Sequence, residues 1–173
     1  MLPSCRTGCI VLGILLSVSP AFDAFAQIAT QTQKKDHAMT MHAKGTFEVK
    51  STPLPADEAI TGTPIGRVAL DKTFHGDLEG ASKGEMLGSG NPAKGAAGYV
   101  AMEYVTGTLH GQNGTFALQH IGTMDQGKFN LNVGVVPGSG TGELAGIAGT
   151  MAIVIDGTKH SYSFEYSLPA TEK

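Results

Sequence analysis

Apolar and polar residues alternate with a period of two along most of this chain. Ala43, Gly45, Phe47 and Val49 are separated by polar partners over His42–Lys50, which reads as a first strand. Val68, Leu70, Phe74 and Leu78 sit at even steps through Arg67–Glu79, and a shorter strand follows at Glu85–Ser89. Gly98–His110, Thr115–Met124, Lys128–Val136 and His160–Leu168 continue the pattern, and Leu144 and Ile153 belong to a further hairpin. Such alternation puts every second side chain on a buried face. No stretch has a helical period. Turn signals such as Asn113-Gly114, Gln126-Gly127 and Asp156-Gly157 separate the strands. Eight or nine short strands joined by tight turns predict an all-β fold, a single antiparallel β-barrel.

The chain is organised around Gly107–His120. This stretch reads as a β-hairpin with Asn113-Gly114 as its two-residue type I′ turn, where both central residues need φ > 0. The spacing Gly107-x-Leu109-x-Gly111-x-x-Gly114-Thr115-Phe116 recurs as Gly142-x-Leu144-x-Gly146-x-x-Gly149-Thr150-Met151. A looser copy is Gly76-x-Leu78-x-Gly80-x-x-x-Gly84-x-Met86. One hairpin design used three times fits a closed sheet.

With that turn, Leu109 faces Leu118, Gly107 faces His120, Val105 faces Gly122 and Glu103 faces Met124. These residues share one face with Phe116, the expected interior, while Thr106, Thr108, His110, Gln119 and Thr123 take the wetter face. Glu103 and His120 are therefore the candidate ligand-binding residues. A buried carboxylate and imidazole are costly unless satisfied. Gly107 and Gly122 leave room beside them. Either a bulky residue of the far wall fills that room and the pair is hydrogen-bonded structurally, or the room is a ligand cavity. In this register four positions of about 3.3 Å each separate the two side chains, so direct contact is not expected without a bulge or a bridging group.

Composition adds an address. Arg6, the apolar run Ile10–Val18 and Ala24-Phe25-Ala26 have the three-part pattern of a secretory signal over residues 1–26. A membrane anchor is the rival, but the run is short for a span and Pro20 and Asp23 close it. The expected location is the periplasm or the exterior. Residues 27–40 read as a flexible polar arm, 41–168 as the barrel and 169–173 as a tail. Ser51–Pro64, with three prolines, reads as a long connection or a flap over one barrel end. Both cysteines, Cys5 and Cys9, fall in the signal, which leaves the mature chain no disulfide, thiolate nucleophile or cysteine metal site.

Twenty-four glycines and no tryptophan suit a sheet with many turns. The net charge is −3 with no basic patch, which argues against nucleic acid as a partner. No membrane partner is expected after signal cleavage. The partners that remain are a small apolar ligand and, as a homo-oligomer, the chain itself. Gly138–Gly142 is not a phosphate loop, because a strand and not a helix follows it. Asn113-Gly114-Thr115 has the form of a glycosylation acceptor, but a turn already explains it. The six histidines, His37, His42, His75, His110, His120 and His160, lack ligand spacing, so neither a metal nor another cofactor is predicted.

Several segments resemble a bacterial family, the domain-of-unknown-function 3224 family, whose fold is an allene-oxide-cyclase-like barrel. They are Ala43–Lys50, Phe74-x-Gly76-Asp77-Leu78-Glu79-Gly80, Val105–Leu109, Gly114–His120 and Val136–Gly146. They run in order through nearly all of the mature chain. The resemblance implies an eight-stranded antiparallel barrel and transfers no catalytic residue, since similarity to a cyclase is an analogy of fold. The export segment departs from the many members that lack one.

Three functions stay open: a small-molecule binder with an apolar interior, a cofactor-free isomerase or cyclase using Glu103 or His120 as acid or base, and a filled barrel acting as an interaction module. An empty, reachable cavity separates the first two from the third. The export reading has its own check. N-terminal sequencing of the exported protein should begin at Gln27, and recovery of residues 1–26 in a membrane fraction would support the anchor instead.

Overall fold

The computed structural model describes residues 39–170. The predicted signal peptide, residues 27–38 of the predicted arm, His37 among them, and residues 171–173 of the tail lie outside the described residues. Within them are strands β1 (Met41–Leu54), β2 (Gly66–Gly76), β3 (Leu78–Asn91), β4 (Ala96–Leu109), β5 (Gln112–Asp125), β6 (Lys128–Val135), β7 (Thr141–Gly142), β8 (Ala148–Asp156) and β9 (Lys159–Ser167). All but the two-residue β7 form one closed antiparallel barrel. Each strand pairs with the next along the chain, β6 pairs with β8, and β9 returns to β1. Closure shortens the free sheet edges.

The central hairpin exists, but its turn is His110-Gly111, not Asn113-Gly114. Leu109 pairs with Gln112, and His110 and Gly111 take φ of 47° and 84°. Gly114 lies inside β5, outside the left-handed region. The reason is long-range. A turn at Asn113-Gly114 would pair Asp125 with Met102 and leave Ala96–Ala101 without a partner in β5, so the barrel could not close over its full height. In the observed register Ala97 pairs with Met124 and the ladder runs the length of both strands. Asn113 and Gly114 have another task. The Asn113 N–H donates to the Glu143 carboxylate at 2.7 Å, and Gly114 pairs with Gly142 of β7. A Cβ on Gly114 would stand 2.2 Å from the Thr141 carbonyl oxygen.

The repeated spacing is likewise not a repeated hairpin. Gly76 ends β2 at a tight turn through Asp77, so the stretch expected as one strand, Arg67–Glu79, is divided between β2 and β3. Gly142–Gly149 belongs mostly to the segment Val136–Ile147, which crosses one barrel end. What the three copies share is a leucine. Leu78, Leu109 and Leu144 are all fully buried, and Leu78 pairs directly with Leu109. They meet at the barrel end made by the β2–β3 and β4–β5 turns, here called the base. Leu144 and Ile147 of the crossing segment plug it.

Above the plug the lower half of the barrel is filled. Phe74, Phe116, Phe164 and Tyr166 are essentially inaccessible, and Phe116 stacks on Phe164 with ring centroids 5.8 Å apart. The upper end, the mouth, carries the 55–65 connection and the β3–β4, β5–β6 and β8–β9 turns. Arg67 holds that connection: it donates to Glu85 on β3 and to the Pro55 carbonyl, and Asp57 lies 3.7 Å from its guanidinium. Among the described residues β6 and β8 share one ladder pair, Gly134 with Thr150, so their upper halves are not stitched together.

The turn position predicts a reversal of rank between two glycines. At Gly111 nothing lies within 4 Å of an added Cβ, so only its left-handed backbone resists substitution. Gly111→Asn should cost less than Gly111→Ala, which should cost about 1 kcal/mol, because asparagine tolerates that conformation. At Gly114, where space is the limit, Asn should cost more than Ala. Urea denaturation of the four variants checks this, and the opposite order would return the turn to Asn113-Gly114.

Candidate functional site

Alternation along β4 and β5 puts Glu103 and His120 inside the barrel, as expected. They are 1% and 4% exposed. The face was predicted correctly despite the misplaced turn, because the displaced register keeps the same parity. Their separation was not. Glu103 pairs with Leu118, so His120 lies only one inward-facing position farther along β5. His120 Nε2 is 3.0 Å from Glu103 Oε2, a contact the expected register allowed only through a bulge or a bridging group. The approach is off the line of a hydrogen bond, and Nε2 has no hydrogen-bond partner among the described residues.

Two further groups complete the cluster. Lys72 on β2 is 6% exposed, and its Nζ donates to Glu103 Oε2 at 2.5 Å. The Ser82 hydroxyl on β3 donates to Oε1. The Lys72 ammonium also lies 5.0 Å from the centre of the Phe47 ring, a cation–π contact on its apolar side. Gly84, opposite Glu103 on β3, makes the arrangement possible: a Cβ there would stand 2.9 Å from Glu103 Cα. Burial alone pushes the Glu103 carboxyl up. The adjacent His120 ring, the Lys72 charge and hydrogen bond, and the Ser82 hydroxyl outweigh it and hold the pKa down at about 2. Glu103 is thus a fixed carboxylate.

Above the cluster lies open space. A chamber of about 260 Å³ is walled by Phe47, Leu70, Leu131 and Ile153, with Lys72 and His120 at its floor and His160 beside them. Glu103 is not part of its surface and sits beneath. A second chamber of about 530 Å³ adjoins at the mouth, sharing Met86, Tyr99 and Phe129. Its wall is largely backbone and small apolar groups, including Pro64, Gly66, Val68, Gly88 and Ala97. The room expected beside Gly122 is filled by its ladder partner: a Cβ on Gly122 would stand 2.1 Å from the Tyr99 ring. The space beside Gly107 is closed by backbone, with the Glu79 carbonyl oxygen 2.4 Å from where a Cβ would stand.

Lys72, Ser82, Tyr99 and His160 were missed in the sequence, although parity could have found them. Lys72 lies in step with Leu70 and Phe74, and His160 with Tyr162 and Phe164. The other described histidines go elsewhere. His42 and His75 are on the outer face, and His110, in its turn, bonds the Tyr166 hydroxyl through Nδ1 at 2.8 Å.

The cluster predicts both stability and its pH dependence. Glu103→Gln leaves the Lys72 charge buried without its counter-ion and should cost about 3–5 kcal/mol in urea denaturation. The double change Lys72→Met, Glu103→Gln removes both charges and should recover most of that loss; an equal loss in the double variant would mean the pair is not the cause. Because the folded pKa is depressed from 4.5 to about 2, the stability from Glu103 is present above pH 4.5 and is lost as pH falls toward 2. Acid titrations should show a shallower decline over that window in the double variant.

Comparison with known proteins agrees with the fold. The family model "Protein of unknown function (DUF3224)" matches residues 43–166. The crystal structure of a protein of unknown function from the same family, from Shewanella oneidensis MR-1, is 48% identical and superimposes with a TM-score of 0.69, covering 76% of this chain and all of that one. No curated protein matches the chain. The sequence match and the shared barrel together place the chain in the DUF3224 family.

Proposed function

We propose that this protein binds a small, predominantly apolar molecule in the open upper half of its barrel. One observation carries the reading: the barrel is packed solid at its base and open at its mouth, and the opening ends on buried polar side chains. Ligand sites combine an apolar wall with a few placed polar groups, typically within about 300–1,000 Å³. The two adjoining chambers, of about 260 and 530 Å³, have that composition and scale. Lys72 and His120 meet the ligand; Glu103 acts through them, by fixing the Lys72 ammonium and the nearby imidazole. The secretory pattern of residues 1–26 makes it an exported binder.

Binding is favoured over isomerisation. A general acid or base works best with a pKa near the working pH, whereas Glu103 is held far below it and lies beneath the chamber floor. A wholly filled module fits less well, because the mouth glycines leave volume unused.

Those glycines supply the test. A Cβ on Gly66 would meet nothing closer than 3.9 Å, and one on Gly88 nothing closer than 3.4 Å, both without backbone strain. Gly66→Val and Gly88→Val should therefore fill the mouth while keeping or raising thermal stability, since glycine inside a strand costs roughly 0.5–1 kcal/mol. The neutral dye N-phenyl-1-naphthylamine should fluoresce on binding the native protein and lose at least about tenfold in affinity in the double variant, the loss of ~1.4 kcal/mol or more. A dye that ignores native protein, or binds the filled variant equally well, would sink the proposal.

A further inference from the structure

We infer that the ligand of this chamber carries an anionic group, such as a carboxylate or sulfonate, at the end that reaches the floor; the inference rests on the binding reading above. The polar groups on the lower chamber wall are Ser51, Lys72, Tyr99, His120 and His160. Every one can donate a hydrogen bond, three are cationic when protonated, and none is a carboxylate. The upper chamber adds no charged side chain. The nearest acid, Glu103, lies behind Lys72 and His120, with one oxygen bonded by Lys72 and the other by Ser82. A cationic ligand would meet the Lys72 ammonium with no carboxylate on the chamber surface to receive it. An anionic one meets donors alone.

Three details support that polarity. His120 is 4% exposed, and its Nε2, 3.0 Å from Glu103 Oε2 but off the line of a hydrogen bond, has no hydrogen-bond partner among the described residues, so the buried ring is not fully satisfied. His160 stands beside Phe47, its ring 5.1 Å from the phenyl ring on whose face Lys72 also lies. Burial, and secondarily the Glu103 charge, raise the Tyr99 pKa, which keeps that phenol a donor. The resulting site is one-ended: the residues that can be cationic lie at the floor, and the upper chamber is uncharged. It suits an elongated apolar acid that enters head first through the mouth.

Two dyes on one aryl skeleton test this. 8-Anilinonaphthalene-1-sulfonate carries a sulfonate that N-phenyl-1-naphthylamine lacks. The sulfonate dye should bind the native protein about tenfold tighter or more, the range for hydrogen bonds to a charged group. The variant His120→Gln, His160→Gln should lose that preference while still binding the neutral dye. Near-UV circular dichroism establishes that it is folded; His160→Gln alone, at a half-buried position, should show part of the same loss if the double variant does not fold. Equal affinities, a preference that survives in the folded double variant, or sulfonate-dye binding that survives Gly66→Val, Gly88→Val would overturn the inference. Neutral-dye binding without a sulfonate preference would leave the chamber reading standing. Binding of neither dye would remove both.

Discussion

The buried ion pair between Lys72 and Glu103 is the constraint on which the rest of this barrel turns. Each charge is nearly inaccessible, and each alone inside the wall would be strongly unfavourable. They compensate only when β2, β3 and β4 hold the register that brings Lys72, Ser82 and Gly84 around Glu103. The β4–β5 register then sets His120 against the same carboxylate. A slip of one residue in β2 or β4 would turn a charge outward and strand its partner. The pair therefore selects one register from the several that apolar alternation alone would accept.

The same cluster divides the interior in two. Below it, large side chains interlock and three leucines gather at the base with Ile147. Above it, the inward positions of β2, β3 and β5 include Gly66, Gly88 and Gly122, and bulk is withheld. Only the Tyr99 ring leans over Gly122. A barrel of eight strands is just wide enough for its side chains to fill. Replacing several inward side chains by glycine at one end is thus enough to open a chamber without widening the barrel. The floor of that chamber is polar because the cluster forms it.

The wall is least constrained where β6 meets β8. Their single shared ladder pair lies low, and the chamber residues Phe129, Leu131, Ile153 and Ile155 lie above it. Phe129 and Ile155 remain substantially exposed. The side of the chamber with the fewest backbone bonds is also its most apolar side, so its adjustment to a ligand would break little hydrogen bonding.

Much of this was already legible along the chain. Period-two alternation is a local property, so it determined the strands, the inward face and the interior positions of Glu103 and His120. The resemblance to the family added the strand number. What alternation cannot express is displacement by an even number of residues, because every inward residue stays inward. That ambiguity moved the central turn from Asn113-Gly114 to His110-Gly111 and hid the contact between Glu103 and His120. Only closure resolves it. The β4–β5 ladder must run out to Ala97 and Met124, 27 residues apart, and Glu143 and β7 dock on Asn113 and Gly114 from about thirty residues away. Lys72 shows the same limit. Its position in step with Leu70 and Phe74 pointed it inward, but a buried lysine has meaning only with its counter-ion, and Glu103 is reached across two intervening ladders. Tertiary structure alone brought them together, because the cost of leaving either charge unpaired is felt only once the barrel has closed.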